Sequence, residues 1–148
     1  MHDILIQRMK DEVTRLGVQE LRTPDEVDAV LENTKGAVLV FVNSVCGCAG
    51  GVARPALARA LKHKTLPNKL TTVFASEDRE ATARAREYFV GMPPSSPSIA
   101  LLRDGKLVHV IHRSQIEMSS PEGVAAMLTE VFDKYCGSEA PQQGLATQ

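Results

Sequence analysis

The amino-acid sequence predicts an α/β fold, a central mixed sheet of about four strands flanked by helices, and three observations predict it. Short apolar runs rich in β-branched residues alternate with stretches whose apolar residues recur at helical spacing, the pattern of strands joined by helices. The first handover from strand to helix carries two cysteines, Cys46 and Cys48, in the stretch Asn43-Ser44-Val45-Cys46-Gly47-Cys48-Ala49-Gly50-Gly51. The carboxyl end of a strand is where such proteins keep their chemistry. Finally, Arg103-Asp104-Gly105-Lys106 joins two apolar runs through an Asp-Gly turn, which makes the last strand pair antiparallel and the sheet mixed.

Taken in order, Asp3 to Leu16 places Ile4, Leu5, Met9, Val13 and Leu16 at helical spacing, with Gly17 after the end. This is an N-terminal helical extension with one buried face. Thr23-Pro24-Asp25-Glu26 is a helix start, with Thr23 as N-cap, Pro24 at the first helical position and Glu26 completing a capping box. That helix runs to about Thr34 and stops at Gly36. Val38 to Val42 reads as a central strand covered on both faces. Val52 to Lys64 follows as a helix with Val52, Leu57 and Leu61 inward, Pro55 in its first turn and His63 at its end in a solvated or capping role. Lys69 to Ala75 is the next strand, reached through a helix and so parallel to the first. Asp78 to Phe89 is a helix whose mixed charges, Arg79, Glu80, Arg84, Arg86 and Glu87, read as a solvated face. A proline-rich loop, 91–97, leads into strand Ser98–Leu102, the Asp-Gly turn and strand Leu107–His112, along which His109 and His112 fall on opposite faces. A last helix runs from Pro121 to about Tyr135, Cys136 follows as an incidental thiol, and 137–148 is a polar tail.

At 148 residues, the expectation is one domain over 1–136 with a flexible tail behind it. Hydrophobic residues make up 43%, charged residues 24%, and the net charge is −1, which excludes a disordered chain and a strongly basic nucleic-acid binder. No apolar run approaches the roughly 20 residues of a membrane span, and Met1-His2-Asp3-Ile4 does not open a secretory leader. The expectation is a cytoplasmic protein without nucleic-acid or membrane partners, a monomer or weak dimer. In a reducing compartment three cysteines do not make a disulfide framework, so a close pair is catalytic or metal-binding.

Cys46 and Cys48 can bridge only across a bend, because residues two apart in an extended strand stand near or beyond the separation a disulfide spans. Gly47 is expected to supply dihedrals closed to most residues, and Gly50 and Gly51 to turn the chain into the helix. A ring closed over one intervening residue is more strained than one closed over two, hence easier to reduce. The helix terminus behind the pair, with Arg54 adding charge, favours a thiolate. Geometry assigns Cys46 as the attacking thiolate and Cys48 as the resolving thiol. Asn43 and Ser44 are placed to bond either the loop or a substrate. A turn-forming Ser96–Pro97 bond, if cis, would bring backbone beside the cysteines to hold a peptide or thiol against Cys46.

Two other classes of function compete with redox chemistry: a soft-metal module in which Cys46 and Cys48 chelate an ion, and a non-catalytic interaction domain of the same fold. Zinc normally takes four ligands, and no histidine lies at ligand spacing from the pair.

The element order, with cysteines at the first strand-to-helix junction, is the thioredoxin-like layout. Asn43-Ser44-Val45-Cys46-Gly47-Cys48-Ala49, with Gly51, Ala53, Arg54 and Pro55 behind it, resembles the signature of the bacilliredoxins, small bacterial thioredoxin-like proteins. The resemblance extends to the Ser-Pro-Ser strand and to His112-Arg113-Ser114-Gln115-Ile116-Glu117. It implies removal of bacillithiol from protein mixed disulfides, with Cys46 taking the bacillithiol and Cys48 or a second bacillithiol resolving it. Weak disulfide reductase or isomerase activity is also implied. No bound cofactor is expected; bacillithiol or another low-molecular-weight thiol would be the co-substrate, and proteins carrying mixed disulfides the partners.

Overall fold

The computed structural model describes residues 2–136; the sequence-predicted tail, 137–148, lies outside the described residues. The elements are α1 (His2–Thr14), β1 (Gln19–Glu20), α2 (Pro24–Asn33), β2 (Ala37–Asn43), a π-helical turn (Ala49–Ala53) running into α3 (Arg54–Ala60), β3 (Lys69–Phe74), α4 (Arg79–Glu87), β4 (Ser98–Arg103), β5 (Lys106–Ile111), α5 (Arg113–Glu117) and α6 (Pro121–Tyr135). The sheet has five strands in the order β1-β3-β2-β4-β5. β2 runs parallel to β3 and antiparallel to β4, and β4 pairs antiparallel with β5.

β2 is buried along its whole length, and its alternate side chains feed two separate cores. Leu39 and Phe41 pack with Val13 of α1, Leu57 of α3, and Val124, Leu128 and Phe132 of α6. Val38, Val40 and Val42 pack on the other side with Val27 and Leu31 of α2 and with Ala81 and Ala85 of α4. A strand covered on both faces is continuously apolar, and this is what the run 37–42 reports. The Asp-Gly hairpin forms as expected, Asp104 at φ 52° and Gly105 at φ 80°, the paired left-handed dihedrals of a tight two-residue turn.

Several sequence expectations are corrected. The sheet has a fifth strand, β1, whose two polar residues are too short to show any periodicity. α5 is likewise absent from the sequence reading; His112, expected in the last strand, instead precedes α5, its backbone N–H donating to Gln115 at 2.9 Å. In α1 the buried face is Ile6, Lys10 and Val13, whereas Ile4 and Leu5 are about half exposed. Burial opposes the charge of Lys10, but Asp78 at 2.8 Å and Glu20 at 3.0 Å outweigh it and raise its pKa. An ion cluster therefore supplements the apolar stripe in tying α1 to the sheet. At α2 Thr23 caps the Glu26 N–H as expected, but the Glu26 carboxylate reaches past the N-cap to the Arg22 N–H at 2.7 Å.

Candidate active site

β2 ends at Asn43, and the buried Asn43 and Ser44 build the frame of the cysteine loop. The Asn43 side-chain oxygen accepts from the Ser44 N–H and from Arg54 Nη1, both at 2.9 Å, while its Nδ2 donates to the Met9 carbonyl at 3.2 Å. Ser44 Oγ accepts from the Cys46 N–H at 3.2 Å. Of the two roles open to Asn43 and Ser44, these bonds fill that of holding the loop.

Arg54 lies elsewhere than expected. It is 6% exposed, its guanidinium reaches Asn43, the Ser44 carbonyl at 3.0 Å and Glu12 at 3.3 Å, and it braces the loop from beneath. A Cβ on Gly50 would stand 2.8 Å from an Arg54 nitrogen, so the guanidinium occupies the space that the absent side chain leaves. The expectation for Gly47 is also corrected: its φ is not positive, and a Cβ there would meet nothing within 4 Å. The bend is made by ordinary right-handed backbone, with Cys48 at φ −71°, ψ −23° and the Cys46 carbonyl accepting from the Ala49 N–H at 3.0 Å. One helical turn brings Cα atoms two residues apart to about 5.4 Å, within disulfide range, without a special dihedral.

The two sulfurs stand 3.0 Å apart, unbonded, on half-buried side chains. Donation from the Cys48 thiol and the Cys48 N–H holds the Cys46 thiol below its ordinary pKa; the Arg113 charge and the Ala49 N–H add to this against a cost of burial. Cys48 is pushed up by burial first, then by its bond to Cys46 and the charge there. One sulfur is thus primed to attack while the other keeps its proton. Sulfur polarisation and backbone N–H groups at a helix start stabilise thiolates generally.

A cavity of about 400 Å³ opens beside Cys46, lined by Ser44, Val45, Ala75, Ser76, Arg79, Arg86, Ser96 and Arg113. The Ser96–Pro97 bond is cis and ends at β4, the strand antiparallel to β2. Ser96, the residue before Pro97, lines this cavity together with Cys46. Arg113, at the start of α5, donates to the Ser96 carbonyl at 3.4 Å and pairs with Glu117 at 3.3 Å. The sequence reading gave no role to Arg113 and placed Arg79 and Arg86 on a solvated face. The usable signal for Arg113 was its place directly after the last strand, next to the Ser-Pro segment. Elsewhere, His63 pairs with Asp133 at 2.9 Å, His109 lies on β5, and Cys136 caps α6, its thiol pushed up to about 11 by burial. Among the described residues no cluster of three or more His, Cys, Asp or Glu has metal-binding geometry. No described helix is long and apolar enough to cross a membrane.

A family model described as disulphide isomerase matches residues 1–136. A bacilliredoxin of Koribacter versatilis is 52% identical over 138 residues, covering 93% of this chain and 95% of its own. The chain belongs to the bacilliredoxin family. Another bacilliredoxin, from Geobacillus kaustophilus, is 52% identical over 136 residues, 92% of this chain and 93% of its own. Among solved structures, Fasciola hepatica thioredoxin matches at TM-score 0.57 and 19% identity, over 80% of this chain and 99% of its own. A Halobacterium salinarum thioredoxin variant matches at TM-score 0.58 and 17% identity, over 83% and 93%. The fold is thioredoxin-like, with five strands where about four were expected. Membership of the bacilliredoxin family places the chain among thiol-disulfide oxidoreductases.

Proposed function

We propose that this protein removes bacillithiol, or a closely similar low-molecular-weight thiol, from protein mixed disulfides, with Cys46 as nucleophile and Cys48 as resolving thiol. The observation that carries the reading is the opposed poise of two sulfurs 3.0 Å apart, of which Cys46 lines a small cavity. The Cys46 thiolate attacks the bacillithiol sulfur, and the target cysteine leaves with the electron pair as a thiolate. Cys48, losing its proton, then attacks Cys46, forming the Cys46–Cys48 disulfide and releasing bacillithiol as a thiol; alternatively, a second bacillithiol thiolate attacks the bacillithiol sulfur bound to Cys46, that bond breaks, and the symmetrical disulfide leaves with Cys46 returned as a thiolate. The first route leaves an oxidised pair that a further reduced thiol must reduce. Weak disulfide reductase or isomerase activity follows from the same exchange. Asn43, Ser44 and Arg54 support the loop, and the backbone before Pro97 lines the substrate side. No bound cofactor takes part, and a reducing cytoplasm is the compartment in which a reduced pair would persist.

The test is mass spectrometry of the reduced protein mixed with a bacillithiol-modified model protein. Cys48→Ser should gain one bacillithiol on Cys46 and free the model protein, while Cys46→Ser should gain none. Equal loss of the first step in both variants would overturn the division of roles. Reaction with glutathione or peptide disulfides alone would overturn the assigned thiol.

A further inference from the structure

Arg79, Arg86 and Arg113 line one small cavity with Cys46, and no carboxylate is among the lining residues. One of these cations is already neutralised, Arg113 by Glu117 at 3.3 Å; Arg79 donates to the Ser76 carbonyl at 3.4 Å and, like Arg86, has no carboxylate partner among the described residues. What separates Arg86 from Arg79 is burial: Arg86 is half-buried, Arg79 exposed. The Arg86 Nη2 touches only the Ser95 carbonyl at 3.3 Å, its Nε is buried without a hydrogen-bond partner, and no carboxylate among the described residues forms an ion pair with it. Its neighbour Arg84 has two carboxylate partners, Asp28 at 2.7 Å and Glu87 at 2.6 Å, so the contrast lies within one helix. A half-buried guanidinium lacking a counter-ion gains most from an anion placed against it, and the planar fork matches a carboxylate.

We propose that this cavity is an anion subsite that selects small thiols bearing carboxylates, and that Arg86 is its specificity-determining residue. The proposal rests on the thiol-removal reading above and adds the class of thiol and the reason one sulfur is attacked. A mixed disulfide has two sulfurs. A carboxylate of the small thiol seated on Arg86, with Arg79 and Arg113 beside it, turns that thiol's own sulfur toward Cys46. The new bond then joins Cys46 to the small thiol, the old disulfide breaks, and the target cysteine departs as a thiolate that takes a proton from water. Thiol exchange of this kind consumes no outside oxidant or reductant. Attack on the other sulfur would instead link Cys46 to the target protein. The volume, about 400 Å³, falls within the range of small-ligand pockets, which favours the small thiol over an acidic protein segment as the occupant.

The experiment follows single-turnover transfer to Cys48→Ser from a model protein with one cysteine, disulfide-linked either to mercaptosuccinate or to the neutral β-mercaptoethanol. The anionic thiol should transfer about tenfold faster, with the preference falling at high salt, and should end on Cys46 with the model protein released. Adding Arg86→Gln should bring the anionic-to-neutral rate ratio close to one, and Arg86→Lys should restore part of it. Arg59→Gln, a loss of one exposed charge on α3 that pairs with Glu122, should leave the ratio as it was. The ratio is insensitive to a general loss of folded protein. A ratio near one in the parent protein, or one unmoved by Arg86→Gln, overturns the subsite while transfer from both substrates leaves the thiol-removal reading standing. Rates that follow acidic residues placed beside the model protein's cysteine, rather than the charge of the small thiol, overturn it by assigning the arginines to the protein half. Transfer from neither substrate overturns both readings.

Discussion

Replacing Cys48 by alanine should move Cys46 back toward an ordinary thiol, because the largest stabilisation of its thiolate is donation from the Cys48 side chain. The sign follows directly: only the thiolate attacks, so a lowered pKa carries full reactivity to lower pH, and losing the donor shifts the rate profile upward. Iodoacetamide alkylation of Cys46 against pH, followed by peptide mapping, should show a higher midpoint in Cys48→Ala and a smaller rise in Arg113→Gln. An unchanged midpoint in Cys48→Ala would contradict the sulfur–sulfur hydrogen bond as the cause. Cys136, held near 11 by burial, should lag far behind Cys46 at neutral pH in the same samples. The cysteine pair was legible in the sequence because a one-residue spacing at a strand-to-helix junction constrains chemistry locally. The arginines were not. Arg79, Arg84 and Arg86 share one helix with Glu80 and Glu87, and nothing in their spacing tells which guanidinium is neutralised by Asp28 of α2 and which is left without a carboxylate beside the Cys46 cavity.

At the scale of the element, the loop between β2 and α3 is stabilised by a buried arginine rather than by glycine geometry. Arg54→Gln removes bonds to Asn43, the Ser44 carbonyl and Glu12 at once, and should lower unfolding free energy by about 1–3 kcal/mol in urea titrations. Gly47→Ala, by contrast, places its new methyl group in open space on right-handed backbone and should leave the urea midpoint unchanged or slightly raised. A loss of stability at position 47 matching that of Arg54→Gln would show that the loop depends on the glycine after all. β2, β3, β4 and α6 were readable because apolar periodicity and caps such as Ser120, which accepts from the Gly123 N–H at 3.0 Å, are local signals. β1 and α5 were not, since two residues and five residues give a period nothing to repeat over. The π-helical turn was hidden for another reason: a run such as Ala49-Gly50-Gly51-Val52-Ala53 carries no periodicity that separates a π-turn from an α-turn.

For the whole molecule, the decisive arrangement is that β2 lies at the centre of the sheet, hydrogen-bonded to β3 on one side and β4 on the other and covered by both cores. The strand order followed from the sequence only in part: the helix linking β2 to β3 implied their parallel pairing and the Asp-Gly turn fixed β4 against β5. The placement of β4 beside β2 came from long-range packing. Backbone amides of Val40 and Phe41 should therefore exchange with deuterated solvent only through global unfolding, whereas amides at Val45 and Gly47, beyond the last ladder bond, should exchange through local opening. Oxidising the cysteine pair should slow the second group and leave the first unaltered; equal protection of both groups would contradict this division. The reactive sulfur is mounted a few residues from a strand that should open only when the whole fold does, so its surroundings can loosen around each incoming disulfide many times over before the mounting itself lets go.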